Sequence, residues 1–164
     1  MSKREDILSK YLEAEASLNL FFRTIGYCQT KCTAETKRCC TGDFSHKDDD
    51  LNGFNIIHEE RIKKFEPPKK VDPNNSCGYH TGTGCTLKYY KGPTCLAYLC
   101  GSIRGHLEEE YGIIYEWVKT NNFLEGVLIG TITDKELENF KLKIQDMIEH
   151  IEGGDPYPFF QRFP

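Results

Sequence analysis

Apolar residues recur at helical spacing near both ends of the chain and lose that rhythm in its middle. Ile7, Tyr11, Ala14, Leu18, Phe21 and Ile25 fall on one stripe and predict a helix from about Lys3 to Thr24. Ser2, with Glu5 three residues later, supplies a capping box in which each side chain satisfies an otherwise open amide. Thr133 to Glu152 is the clearest helix. Thr133 and Glu136 form a second capping box, Leu137, Phe140, Ile144, Met147 and Ile151 make the apolar face, and Gly153-Gly154 ends it. A short helix is predicted over Ile57 to Phe65. Another begins near Thr94 or Cys95, carries Leu96, Leu99, Ile103 and Leu107 on one stripe, and runs toward Val118 with interruptions at Gly105 and Gly112. The stretch from Asn121 to Gly130 reads as a turn followed by a short strand, or as a loop. Glu66 to Asn75, with three prolines and two asparagines, predicts an extended connector. The fold class that follows is mainly α, a small single domain over residues 1–164 with helices around an irregular cysteine-rich centre.

Composition sharpens that centre. All eight cysteines, Cys28, Cys32, Cys39, Cys40, Cys77, Cys85, Cys95 and Cys100, fall in the region 28–100, in polar, glycine-containing surroundings where thiol burial alone gains little. They read as metal ligands. The competing use is a disulfide framework, which depends on compartment. The opening MSKREDILSKYLEAEASL places charges on both sides of every short apolar group and has no export-signal core, so the expected compartment is cytoplasmic. Thiols there stay reduced, and a multi-cysteine pattern then favours metal binding or catalysis. At 164 residues the chain is long enough for one hydrophobic core without staples. No stretch approaches the ~20 apolar residues of a membrane span. A net charge of −4 gives no general attraction for nucleic acid. The basic run Arg61, Lys63, Lys64, Lys69 and Lys70 reads as a solvated helix end, with contact to an anion as its alternative.

Spacing limits which thiols can share an ion. If the first helix continues past Gly26, Cys28 and Cys32 stand at i and i+4 and point from one face. Cys39 and Cys40 are adjacent and diverge in extended backbone. Between Cys77 and Cys85 lies Gly78-Tyr79-His80-Thr81-Gly82-Thr83-Gly84, whose glycines permit the tight turns of a metal knuckle. His80 is a candidate to replace a thiol there. On one continuous helix Cys95 and Cys100 are about 140° apart, so they converge only if the helix starts after Cys95. Two centres sharing the eight thiols, or one four-thiolate centre with remaining cysteines buried or reactive, both satisfy these limits. Four thiolates suit zinc and an iron–sulfur cluster alike. Lys31, Lys37, Arg38, Lys88 and Lys91, interleaved with the cysteines, would offset a thiolate site's negative charge and lower the thiol pKa values; the equal alternative is that they are ordinary surface lysines and arginines.

The run Cys28, Cys32, Cys39-Cys40, Cys77, then Cys85-Thr86-Leu87-Lys88-Tyr89 and Gly92-Pro93-Thr94-Cys95-Leu96-Ala97-Tyr98-Leu99-Cys100 resembles the zinc- or iron-chelating domain family of YkgJ-type cysteine-cluster proteins. That family shows C-x-x-C-x-x-C-C, a further cysteine, then C-x-I-Y and R-P-x-x-C elements. Cys85 occupies the C-x-I-Y position and Cys95 the R-P-x-x-C position. This chain departs from the pattern in its stretched C-x3-C-x6-C-C cluster, in an extra Lys before Tyr89, and in Gly92 where the family has arginine. The resemblance implies metal binding, zinc or iron. Through flagellin lysine N-methylases, which share such clusters, it also brings in a metal-dependent protein-modifying transferase as the alternative.

Asp48-Asp49-Asp50-Leu51-Asn52-Gly53 followed by Glu59 fits a twelve-position calcium loop, although position 8 is Asn55 where a branched aliphatic is usual. The competing reading is an acidic turn at a helix start. No G-x-x-x-x-G-K-[ST] or G-x-G-x-x-G run occurs, so phosphate and dinucleotide cradles have no support, and no thiol pairs with a particular base for nucleophilic catalysis. The tail from Asp155 to Pro164 carries four aromatics and reads as packing on its own domain, with docking of a protein partner as the alternative and an interaction module with a structural metal as its functional form.

Overall fold

The first helix, α1 (Lys3–Ile25), starts where its sequence says it should. In the computed structural model the Ser2 amide donates to Glu5 Oε2 at 2.7 Å and the Glu5 amide donates to Ser2 Oγ at 3.3 Å. Those bonds from Ser2 hold the Glu5 carboxyl below its ordinary pKa. Gly26 ends the helix at φ +63, a left-handed conformation that costs glycine nothing. The structure describes residues 2–27, 54–65, 79–81, 84–85 and 87–153.

In chain order the other elements are α2 (Phe54–Lys64), β1 (His80–Thr81), β2 (Gly84–Cys85), α3 (Pro93–Ala97), α4 (Gly101–Tyr111), α5 (Trp117–Ile129) and α6 (Asp134–Gly153). The two strands form one antiparallel ladder in which His80 faces Cys85 and Thr81 faces Gly84. Among the described residues everything else regular is helical.

α1 is the central strut, in contact with α2, α3, α5 and α6. Its predicted stripe, Ile7, Tyr11, Ala14, Leu18, Phe21 and Ile25, is buried in full. α6 lies beside it with Leu137, Ile144, Met147 and Ile148 inward. Lys10 pairs with Asp134 at 2.8 Å and Lys141 with Glu13 at 3.0 Å, so the paired positions advance together along both helices. Burial of these stripes, not the exposed ion pairs, carries the association. The second capping box is formed as predicted, with the Thr133 amide donating to Glu136 Oε2 at 2.8 Å.

Two sequence expectations fail in the middle. The helix predicted to run from Cys95 toward Val118 is broken into α3 and α4 at Tyr98 to Cys100, where Tyr98 (ψ 122) and Cys100 (ψ 161) are extended. Gly112 then closes α4 in a left-handed cap, whereas Gly105 is absorbed within it. The stretch from Asn121 to Gly130 is neither strand nor loop but most of α5. Its Leu124, Val127 and Leu128 are buried, and Gly126 sits where a Cβ would lie 3.0 Å from Ile132 Cδ1. Asn121, a turn signal in the sequence, accepts from Thr94 Oγ1 at 3.1 Å and donates to Glu125 Oε1 at 2.5 Å. Its side chain is satisfied inside the helix and no longer competes with the backbone.

Candidate metal-binding segment and the buried junction beside it

The turn between Cys85 and Cys95 is fastened to the core by a carboxylate of α1. Glu15 lies on the apolar stripe of α1, four residues after Tyr11 and three before Leu18, and is 1% exposed. Its Oε2 accepts the Tyr90 amide at 2.7 Å and its Oε1 the Lys91 amide at 3.1 Å. Arg61, on α2 and equally enclosed, donates from Nε to the Tyr90 carbonyl at 2.8 Å. Tyr11 donates from its hydroxyl to the Lys91 carbonyl at 2.7 Å, and Lys91 Nζ reaches Asn19 Oδ1 at 2.8 Å.

These bonds hold Tyr90 at φ +63, the one left-handed residue other than glycine among those described. Such a conformation costs an L residue roughly 1–2 kcal/mol and persists only where its surroundings over-determine it. Burial pushes the Glu15 carboxyl above its ordinary pKa. The Lys91 and Tyr90 amides pull it back, as do the Lys91 and Arg61 charges, but recover only part of the lost hydration. The periodicity held the signal: a Glu amid a buried stripe must find partners.

Cys95 sits in α3 and Cys100 is the residue that precedes α4, both half-buried. Cys100 stands at the amide-rich end of α4 and its side chain makes no capping hydrogen bond. The two cysteines do not share a helix, so the 140° separation expected for a continuous one does not apply to them. Cys85 is the last residue of β2, opposite His80. Cys28, Cys32, Cys39, Cys40 and Cys77 lie outside the described residues, as do His46, the connector from Glu66 to Asn75 and the aromatic tail from Asp155. α1 itself stops at Gly26, and the i and i+4 relation expected of Cys28 and Cys32 falls outside the described residues. Tyr27, the residue before Cys28, packs on the ring of His106 in α4 at 5.0 Å. Among the described residues no group of three or more His, Cys, Asp or Glu side chains is arranged to hold a metal ion.

The calcium expectation meets two obstacles. Phe54, whose carbonyl would be the loop's seventh-position ligand, is already in α2, and the Glu59 carboxylate is paired with Arg4. Asp48 to Gly53 lie outside the described residues. The basic run also changes character. Arg61 is a buried structural cation, Lys63 pairs with Glu60 at 2.9 Å, and Lys64 donates to the Tyr90 hydroxyl at 3.1 Å. Of the cations interleaved with the cysteines, Lys91 is occupied by Asn19, Lys88 is exposed, and Lys31, Lys37 and Arg38 lie outside the described residues. Among the described residues no helix is long and apolar enough to cross a membrane. No family model matches the chain, and no curated protein or solved structure matches it.

Proposed function

We propose that this protein chelates zinc or an iron–sulfur centre through thiolates drawn from Cys28, Cys32, Cys39, Cys40, Cys77, Cys85, Cys95 and Cys100, in the manner of the cysteine-cluster family its sequence resembles. The observation that carries the reading is the confinement of every cysteine to one region of the chain; among the described residues none belongs to the fully buried core, and Cys100 packs only at its edge. Soft sulfur donors in that number suit both metals. Three structural features support it. Cys95 and Cys100 are freed from a common helix by the break at Tyr98. Both stop short of full burial. The intervening turn is anchored at Glu15, which gives the segment from Cys85 to Cys95 a rigid footing on α1.

The test is metal quantitation with an absorption spectrum on anaerobically purified protein. Stoichiometric iron with broad absorbance near 400 nm identifies an iron–sulfur centre, and a colourless protein holding zinc identifies the other arm. Less than about a tenth of an equivalent of either metal overturns the reading, since structural thiolate sites bind with high affinity.

A further inference from the structure

A cleft of about 550 Å³ opens between α1, the end of α2 and the turn that Glu15 anchors. Its walls carry three exposed cations, Arg23 from α1, Lys64 from α2 and Lys88 from the turn, together with Asn19, whose Oδ1 accepts from Lys91 Nζ. Among the described residues Glu15 is the one acid in the lining, and both of its oxygens are already engaged by the turn's amides. Among the described residues neither Arg23 nor Lys88 has an acidic partner, in a protein whose net charge is −4. Lys10, Lys63, Lys119 and Lys141 are engaged by carboxylates, whereas Arg23 and Lys88, like Lys3, Arg104, Lys135 and Lys143, form no ion pair among the described residues.

The aromatic wall is equally built. The Tyr89 ring is held edge-on by Phe65 at 5.2 Å and by Tyr90 at 5.1 Å, yet stays 39% exposed. Lys64 Nζ lies 5.8 Å from its centre and 5.2 Å from that of Tyr90. Glu15 and Arg61 hold the Tyr90 backbone at its left-handed φ, with the Tyr90 side chain 4% exposed in the core, so the adjoining Tyr89 ring is the one that offers open surface to the cleft. The volume is far more than a bare oxyanion fills and falls in the range of small-molecule sites.

We infer that this cleft binds a phosphorylated small molecule with a planar ring, of the mononucleotide class, its phosphate met by Arg23 and Lys88 and its ring by Tyr89. Arg and Lys favour a phosphate through charge-assisted hydrogen bonds, and Tyr offers a planar surface of low conformational entropy for the ring. This site is separate from the cysteine reading and its test does not depend on metal content.

Calorimetric titration of the full chain with adenosine 5′-monophosphate, adenosine and inorganic phosphate decides it. The monophosphate should bind saturably, at least about tenfold tighter than either fragment, and more weakly as salt rises from 50 to 200 mM. The double variant Arg23→Ala, Lys88→Ala should lose about tenfold or more, and Tyr89→Ala about fivefold, with unchanged circular dichroism because all three side chains are exposed. Absence of saturable monophosphate binding up to about 10 mM, unaltered binding in the double variant, or phosphate binding as tightly as the monophosphate would each overturn the inference.

Discussion

Replacement of Glu15 tests the junction on which the turn between Cys85 and Cys95 rests. In Glu15→Ala the Tyr90 and Lys91 amides lose their acceptor inside the protein, and each stranded amide costs roughly 1–3 kcal/mol. Arg61, 4% exposed, loses the attraction of the Glu15 charge, and the left-handed turn at Tyr90 loses its clamp. Neighbouring effects do not add, and removal of one member of a buried charged group costs about 3–5 kcal/mol in total. Against a typical total stability of roughly 5–15 kcal/mol that variant is close to unfolding, so Glu15→Gln is the informative one. Glutamine keeps the volume and one acceptor, but turns its NH2 toward the second amide and removes the charge. We expect it to cost about 2 kcal/mol, a fall of roughly 1 M in the urea midpoint for a slope near 2 kcal/mol/M.

The sign with pH follows from the raised Glu15 pKa. The folded protein holds that proton more tightly than the unfolded chain, so the wild type loses stability as pH climbs from about 4.5 through the folded value. Glu15→Gln should flatten this part of the profile. Urea unfolding followed by circular dichroism at a series of pH values measures both effects. A midpoint within about 0.2 M of wild type in both variants would refute the account of the junction.

Gly26→Ala should cost about 1 kcal/mol through φ alone, because among the described residues the new Cβ would meet only the Thr24 carbonyl oxygen, at 3.9 Å; thermal melts check it. Tyr115→Phe removes the donor to the Ala97 carbonyl, a buried 2.9 Å bond, and should cost about 1 kcal/mol by chemical denaturation. Burial also pushes the Tyr115 hydroxyl well up from 10.0, so wild-type stability should fall as pH rises above that value, and Tyr115→Phe should lessen the fall. Thr133→Ala, which opens the capping box of α6, should lower stability by about 1 kcal/mol with no change in the folded-state spectrum. Leu124→Ala, at a fully buried position of α5, should cost about 2–5 kcal/mol, and a cost below about 0.5 kcal/mol would mean that α5 does not pack as described.

What the sequence determined by itself was local: α1 and α6, their capping boxes and their buried stripes follow from residues within one or two turns of each other, and the structure has them within a residue of the predicted ends. The grouping of the thiols was legible in the same way. Tertiary structure decided the rest, because the deciding partner is far along the chain. Glu15 finds its amides 75 and 76 residues away, and Asn121 is settled in α5 by Thr94, 27 residues before it. Tyr11 and Tyr115 likewise fasten the backbone on either side of the α3 segment, at Lys91 and Ala97, and the chain breaks helix just beyond, between Cys95 and Cys100. Periodicity shows which face of a helix turns inward, but which buried polar group meets which distant backbone is fixed only when the helices pack.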